Sequence, residues 1–412
     1  MTAADRDDTG TERAGSRRWY QRRWLVALAG LFLLLVVLAS SAHVRAGLTS
    51  AGFLLEIFPD LPAYPSRWFS SEPERTLVFF PHEDGVEGAY LYSPGETGCH
   101  AGLVMYIGLG PEHQDSHLDR VSRAFARNGI AVLIPISDEM IAYRVDAEEH
   151  LRAASAFRYM QAHPEIDAER VGMFGISVGG SIVVNAAQEP SINEDVAMVH
   201  SLGGYYDATR LLSQMAVGAF EVDGEWHAWE PSSTTFRATR NSIVRLMPSD
   251  DRLILWEMFG NDTQEVSDEL SSEGRALAEL LVNRDPERID ELESNLPDEL
   301  VQYLDLISPS SGRDRLVSET LLLHDKHDHV LPYSESVRFY REAHDVTPIH
   351  LTLIEQFHHV RPDEEGDRLG LIGDGARLLR HVYRMNRSLD DRGWFASPLD
   401  LIPGLGDTSD CT

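Results

Sequence analysis

One serine lies in a sequence setting that favours nucleophilic chemistry. Ser177 belongs to the sequence GISVG at residues 175–179, which fits the pattern Gly-x-Ser-x-Gly. An apolar stretch of strand length, 170–176, precedes it, and a helical pattern follows over 179–187. A tight turn between a strand and a helix would raise the hydroxyl at the helix N-terminus, where the helix dipole favours developing negative charge. Ser177 is therefore a candidate nucleophile; the alternative is a glycine-rich turn that contains a serine.

A serine hydroxyl needs a base, usually histidine, and an acid that orients the base. Both residue types follow Ser177 along the chain. The sequence HDKHDH occupies 324–329 at the end of a predicted strand, and FHHV occupies 357–360 after another predicted strand. The order Ser, Asp, His is that of one large fold class. The histidine-rich cluster also raises the possibility of a zinc site.

The histidine spacing in 324–329 argues against zinc, because it does not match a helical ligand motif such as His-Glu-x-x-His. No second cluster of ligand types complements this one. We therefore expect no metal ion and no other cofactor.

The pattern of apolar residues alternates between strand and helix on both sides of one long interruption. The predicted strands are 76–80, 88–93, 101–107, 130–136, 170–176, 195–202, 320–324 and 349–354. The predicted helices are 116–127, 147–162, 179–187, 334–344 and 376–387. This alternation predicts an α/β fold whose mostly parallel sheet has helices on both faces. Residues 207–318 interrupt it with a mainly helical pattern and no alternating strand pattern, so we expect a helical cap inserted between two strands.

With these motifs the chain resembles the α/β-hydrolase superfamily, in particular its dienelactone-hydrolase-like and prolyl-oligopeptidase-like members. The resemblance covers 76–390 without the cap and is carried by GISVGG at 175–180, LLLHDKHDHVLP at 321–332 and FHHV at 357–360. It implies that Asp328 is the acid of a catalytic triad and His359 the base. Asp325 stands where the family often has glycine and remains the alternative acid, and His358 is the alternative base.

The resemblance also implies an oxyanion hole made of two backbone N–H groups. One is that of Val178, next to the nucleophile. The other is that of Leu109, in the loop after the predicted strand 101–107. This loop resembles the His-Gly-x-Gly loop of the family but has Ile107 in place of the histidine.

The N-terminal region predicts export of the domain that follows. Residues 24–44 are apolar and, at about 1.5 Å per residue, long enough to span a bilayer as a helix. Four arginines, at 17, 18, 22 and 23, precede them, so the positive-inside rule places the N-terminus in the cytoplasm. We expect a single-pass signal anchor. The alternative is a signal peptide cleaved near Ser40, Ser41 and Ala42, which would release a secreted protein.

The expected organisation follows from these patterns. It comprises a cytoplasmic basic arm (1–23), a transmembrane anchor (24–44), a juxtamembrane linker (45–75), the hydrolase core (76–206 and 319–390), the cap (207–318) and a C-terminal tail (391–412). Within the linker, the apolar residues 53–58 are expected to pack on the domain or to lie on the membrane surface.

Composition excludes several classes of function. The formal net charge is -30, of which residues 1–46 carry +3 and the remainder therefore -33. Such an acidic domain is not expected to bind nucleic acid, because phosphate binding needs a basic surface. Two cysteines, Cys99 and Cys411, rule out a disulfide-rich scaffold, and the sequence leaves open whether they pair.

These features together predict an exported serine hydrolase that cleaves a small-molecule carboxylic ester or related acyl bond. Its membrane contact would be made through residues 24–44, and its oligomeric state is left open. The alternatives are a serine peptidase or acyltransferase on the same fold, or a catalytically silent scaffold that acts as an anchored binding protein.

Overall fold

The computed structural model describes residues 23–31, 33, 41–57, 64–68, 70–83, 85–95, 98–259, 265–355, 368–389 and 411. An eight-stranded sheet forms the centre of the domain, in the order β1-β2-β4-β3-β5-β6-β9-β10. Strand β2 is antiparallel to both of its neighbours, and all the other pairs are parallel. The expected mostly parallel sheet is therefore confirmed. The strands are β1 (Glu74–His82), β2 (Gly85–Ser93), β3 (His100–Tyr106), β4 (Ile130–Pro135), β5 (Ile166–Ile176), β6 (Met198–Leu202), β7 (Ala219–Val222), β8 (Glu225–Ala228), β9 (Glu319–Asp325) and β10 (Ile349–Ile354).

Helices cover both faces of this sheet and fill the long insertion between β6 and β9. In chain order they are α1 (Ala42–Ile57), α2 (Ser116–Arg127), α3 (Asp138–Ile141), α4 (Glu149–Gln161), α5 (Val178–Ala187), α6 (Ala208–Val217), α7 (Ser233–Ile243), α8 (Arg252–Met258), α9 (Ser272–Val282), α10 (Ile289–Glu293), α11 (Asp298–Ile307), α12 (Ser334–Ala343) and α13 (Arg368–Leu389). Residues 23–31 and 33 are also helical.

Alternation along the central strands divides the core into two apolar layers. In β3, Val104 packs in the layer with α4 and α5, whereas its neighbours Leu103 and Met105 pack in the layer with α1, α2 and α13. Successive side chains of a strand point to opposite faces, so one strand supplies both layers. All six residues of β4 are buried, as expected of a strand covered on both faces.

Helix α1 belongs to the domain, although the sequence analysis divided its residues between the anchor and the linker. Phe53 is 5% exposed and its ring centroid lies 4.5 Å from that of Phe125 in α2. The buried Glu56 forms an ion pair with Arg127 of α2. The prediction that this apolar segment packs on the domain is confirmed for Phe53. Of the expected anchor 24–44, residues 32 and 34–40 lie outside the described part of the chain.

No helix within the described residues has both the length and the apolar character needed to cross a membrane.

The insertion between β6 and β9 contains a hairpin as well as helices. Strands β7 and β8 pair antiparallel through a two-residue turn at Asp223 and Gly224, both of which have positive φ. The expectation of no strand in 207–318 is wrong. The prediction failed because the two strands are only four residues long each, which is too short to show an alternating pattern in the sequence. The Asp-Gly pair between them is itself a hairpin signal.

A buried carboxyl group joins the start of the cap to the core. Glu335, in α12, accepts hydrogen bonds at 3.0 Å from the backbone N–H groups of Tyr206 and Asp207, where the chain leaves β6 for the cap. Its other oxygen accepts from Gln214 of α6 at 3.3 Å. Burial raises the pKa of Glu335 to about 7, although the two N–H groups oppose this shift.

The raised pKa of Glu335 predicts a specific dependence of stability on pH. Between pH 4.5 and about 7 the folded state retains a proton that the unfolded state has lost. The contribution of this group to stability is therefore present below pH 4.5 and decreases by about 1.4 kcal/mol per pH unit as the pH rises through this window. Glu335→Gln should remove the dependence, so the free energy of unfolding of the variant minus that of the wild type should increase from pH 5 to pH 7. Chemical denaturation at several pH values measures this difference.

The exposed Glu299, in α11, provides the matched control. Glu299→Gln should leave the pH dependence of stability as it is in the wild type. A Glu335→Gln protein with the full wild-type dependence would show that this carboxyl is ionised in the folded state.

Candidate active site

Ser177 forms the turn between β5 and α5 and has a backbone conformation that few non-glycine residues adopt. Its φ is 56° and its ψ is -131°. Its N–H donates to the carbonyl of Leu202, at the end of β6, at 2.7 Å, and its carbonyl accepts from Gly180 at 2.8 Å. A positive φ at a serine costs about 1–3 kcal/mol, which the surrounding structure must offset. The candidate nucleophile thus lies on a strained turn between a strand and a helix.

Glycines make this turn possible because three backbone segments meet there. A Cβ at position 179 would lie 2.8 Å from the carbonyl oxygen of Ile107, and closer still to that of Tyr106. A Cβ at position 175 would collide with the backbone of Gly179 itself. In proteins, Cβ atoms essentially never come within 3.0 Å of a backbone atom of another segment. The two glycines of the Gly-x-Ser-x-Gly pattern are therefore required by packing.

The loop after β3 lies beside the serine side chain. A Cβ at position 108 would be 3.4 Å from Cβ and 3.8 Å from Oγ of Ser177. In this loop the N–H of Gly110 already donates to the carbonyl of Met140 at 2.9 Å. The N–H of Val178 belongs to the first turn of α5 and has no carbonyl within the helix to bind. The loop and the helix start, which contain the predicted donors Leu109 and Val178, thus meet at the serine.

Backbone groups orient the predicted acid. One carboxylate oxygen of the buried Asp328, Oδ1, accepts hydrogen bonds from the N–H groups of Val330 at 2.7 Å and Leu331 at 3.0 Å. The other oxygen, Oδ2, lies 3.6 Å from Nε2 of the buried His324. Asp325, the alternative acid, instead accepts from the N–H of His327 at 2.6 Å and closes the turn at the end of β9. Both carboxylates thus accept backbone N–H groups, and Asp328 remains the predicted acid with Asp325 as its alternative.

The predicted base, His359, and its alternative, His358, lie outside the described residues. The chain that leads to them leaves the sheet beside the loop that carries the acid. Lys326 donates its N–H to the carbonyl of Ile354 at 2.9 Å and its ammonium to the carboxylate of Glu355 at 2.8 Å. Residue 359 is therefore four residues along the chain from Glu355, whose carboxylate accepts the hydrogen bond of Lys326 in the loop that carries Asp328.

Two other histidines, His200 and His381, border the same cavity as Ser177 and were not predicted from the sequence. Their Nε2 atoms are 2.7 Å apart, and Nδ1 of His381 lies 2.9 Å from the hydroxyl of Thr352. Burial lowers the pKa of His381 to about 3 and that of His200 well below its usual range. A general base works best with a pKa near the operating pH, so these neutral imidazoles do not suit that role. No sequence signal separates them from ordinary core residues.

A cavity of about 420 Å³ extends from Ser177 into both apolar layers. Val145, Leu212 and Ile243 line it on the side of the cap. Phe53 and Phe125 line it on the side of α1 and α2. This size is typical of a site for a small-molecule ligand.

Comparison with known proteins gave matches only among solved structures: no protein-family model and no curated protein matches the chain. One similar structure is 2,6-dihydroxy-pseudo-oxynicotine hydrolase, with 16% identity, a TM-score of 0.46, and coverage of 79% of this chain and 70% of that one. Acetyl xylan esterase 1 from Thermoanaerobacterium sp. JW/SL YS485 has 16% identity and a TM-score of 0.43, and the match covers 76% of this chain and 84% of the esterase.

A third similar structure is Porphyromonas gingivalis dipeptidyl peptidase 4, with 13% identity and a TM-score of 0.44 over 75% of this chain. This chain spans 36% of the length of that peptidase. The strand order, with β2 antiparallel, together with the strained serine turn after β5, decides the fold. The chain has the α/β-hydrolase fold. The resemblance inferred from the motifs is therefore confirmed for the fold.

The packing at the serine turn predicts that Gly179→Ala destabilises the protein by at least about 2 kcal/mol, because the added methyl group has no space. Gly375→Ala is the matched control, since Gly375 is an exposed residue of α13 with no atom within 4 Å of the new Cβ. It should increase stability by about 0.5–1 kcal/mol, the usual gain from replacing glycine in a helix. Urea denaturation of both variants measures the two effects, and equal stability of the two would contradict the described packing.

Proposed function

We propose that this chain is a serine hydrolase that cleaves carboxylic esters through an acyl-enzyme. The observation that carries the proposal is the strained backbone of Ser177, which is held between the N-terminus of α5 and the loop after β3. Proteins retain such strain mainly at functional sites. A turn that served only to connect a strand and a helix would have no need of a serine with positive φ.

In the proposed mechanism, Oγ of Ser177 attacks the ester carbonyl while His359, or its alternative His358, removes the hydroxyl proton. The N–H groups of Val178 and Leu109 donate to the developing oxyanion. The histidine then protonates the leaving alcohol, and the acyl group remains on Ser177. Water, deprotonated by the same histidine, attacks the acyl-enzyme and releases the acid. Asp328 holds the histidine in the required tautomer.

The lining of the cavity favours an uncharged substrate. Among the described residues that border it, none is lysine or arginine, and Asp115 is the one with a carboxylate. That carboxylate accepts a hydrogen bond from the N–H of His117 at the start of α2. A charged amino terminus of a peptide, or an anionic acid, would find little complementary charge there. This supports an ester over the peptidase alternative.

Labelling with a fluorophosphonate tests the nucleophile, and p-nitrophenyl esters test the triad. Ser177→Ala should abolish labelling and hydrolysis without loss of the fold. Asp328→Asn should lower kcat by about 10⁴, because the histidine would be held in the wrong tautomer. His359→Gln should cost at least as much, since no base would remain.

Two matched variants sharpen this test. Asp325→Asn and His358→Gln replace the alternative acid and base, and each should retain far more activity than Asp328→Asn or His359→Gln. Circular dichroism checks that every variant is folded. If folded wild-type protein does not react with the probe, or if Ser177→Ala labels equally well, the chain is instead a catalytically silent scaffold.

We also propose that the domain is exported and held at the membrane by residues 24–44, with the N-terminus in the cytoplasm. A disulfide supports export: Cys99, before β3, is bonded to Cys411, and their Cα atoms are 5.4 Å apart. The sequence left this pairing open. Disulfides persist mainly in proteins of oxidising compartments. The secreted form, cleaved near residues 40–42, is the second candidate.

Mass spectrometry of protein purified from the source cells under non-reducing conditions tests both parts. After blocking of free thiols, we expect a cross-linked peptide that contains Cys99 and Cys411, and an intact mass that includes residues 24–44. An intact mass that begins near residue 41 would support the secreted form. Alkylated Cys99 and Cys411 would contradict export to an oxidising compartment.

A further inference from the structure

The part of the cavity lined by α1 and α13 has the features of a site for a hydrocarbon chain. We call it the acyl lobe and define it by Phe53, Leu54 and Ile57 of α1 and Leu378, Val382 and Met385 of α13. On α13 these positions recur at intervals of four and three residues, so they form one apolar stripe. Every one of these side chains is apolar and borders the cavity, and Phe53, Val382 and Met385 also pack in the apolar layer with α2.

Polar contacts fix the positions of the helices that line the acyl lobe. Asn386 of α13 donates to the hydroxyl of Ser50 in α1 at 2.9 Å. On the other side of α1, Glu56 forms its ion pair with Arg127 of α2. Both contacts are buried, and they lie beside the apolar residues that line the lobe. The lobe is therefore a built feature of the packing of α1 against α13 and α2.

The size of the cavity also indicates a guest. Protein interiors are close-packed and rarely contain voids much larger than one water molecule. The cavity of about 420 Å³, which includes the space under the cap as well as the acyl lobe, is far larger than one water molecule. It therefore has room for a hydrocarbon chain. Water itself would find few partners among these side chains.

The two histidines that border the cavity do not give it a charge. His200 and His381 hydrogen-bond to each other, and both are neutral near pH 7 because burial lowers their pKa values. The side of the cavity under the cap is different. There the lining includes the hydroxyl-bearing residues Thr234, Thr235, Thr239 and Ser242. Ser177 lies where the parallel strands have their C-terminal ends, between the acyl lobe and the space under the cap.

We propose that the substrate is an ester of a long-chain fatty acid, whose acyl chain lies in the acyl lobe. The alcohol part then lies under the cap, beside the hydroxyl groups. This inference rests on the proposed function, because it takes Ser177 as the attacking group. It names the acyl specificity of that site and assigns α1 and α13 to substrate binding.

A series of p-nitrophenyl esters from acetate to hexadecanoate, used below their micelle concentrations, tests the inference. Wild-type kcat/KM should be highest at 10 carbons or more. Val382→Phe fills the lobe and should lower the ratio of kcat/KM for dodecanoate to that for acetate at least tenfold, in line with the 10- to 200-fold discrimination of apolar pockets. Leu379→Phe is the control: Leu379 lies on the exposed face of the same helix, 39% exposed, and the variant should keep the wild-type ratio.

The outcomes separate this inference from the proposed function. If Ser177 reacts with the fluorophosphonate but kcat/KM is highest for acetate or butyrate, the acyl lobe does not bind a long acyl chain, and the protein is still a serine hydrolase. Equal ratios in Val382→Phe and Leu379→Phe would also overturn the lobe. Should Val382→Phe fail to fold, Leu378→Phe replaces it.

If Ser177 does not react with the fluorophosphonate, the proposed function fails. The acyl lobe is then tested by ligand binding alone. Native mass spectrometry with dodecanol should then show one bound molecule per chain, lost in Val382→Phe and kept in Leu379→Phe. Absence of dodecanol binding by the wild-type protein would overturn the inference.

Discussion

The backbone of Gly179 lies against the backbone of Tyr106 and Ile107, and this contact determines where the reacting groups can be. It brings the first turn of α5 onto the end of β3. Because α5 packs so closely on β3, the residue that precedes it, Ser177, turns sharply and takes a positive φ. The loop that leaves β3 then passes directly beside the serine side chain. One steric fit between main chains thus sets the nucleophile, the helix start and the neighbouring loop at once.

The remaining strands extend this arrangement along the same edge of the sheet. Hydrogen bonds join Ser177 to the end of β6 and Gly203 to Leu323 of β9, so the ends of three adjacent strands are level. Asp328 and the chain that leads to His359 follow from β9 and β10 at this edge. The cap leaves the core after β6 and returns at β9, so both of its connections lie beside the site. The sheet thus places the strand ends near the site and both connections of the cap at the same edge.

The sequence predicted the central strands well because they are covered on both faces and are apolar throughout, as in β4. It also predicted the serine turn, since only glycines fit its close contacts. It expected residues 53–58 to pack on the domain but did not predict a single helix over 42–57, because an apolar helix that packs on protein and one that enters a bilayer have similar compositions. The pairing of Cys99 with Cys411 was equally hidden, since 312 residues separate them and spacing gives no distance. His200 in β6 and His381 in α13 are 181 positions apart in the sequence, so neither residue alone signals the contact.

The disulfide has a topological consequence. Cys99 precedes β3 and Cys411 is the second-to-last residue, so one covalent ring encloses most of the sheet, the entire cap and α13. A single break of the main chain anywhere inside this ring leaves both pieces attached to each other. A protease that cuts an exposed cap loop would open the ring without releasing either fragment. The segments that contain Ser177 and Asp328 would stay covalently linked, so the two pieces of the nicked molecule can refold without separating.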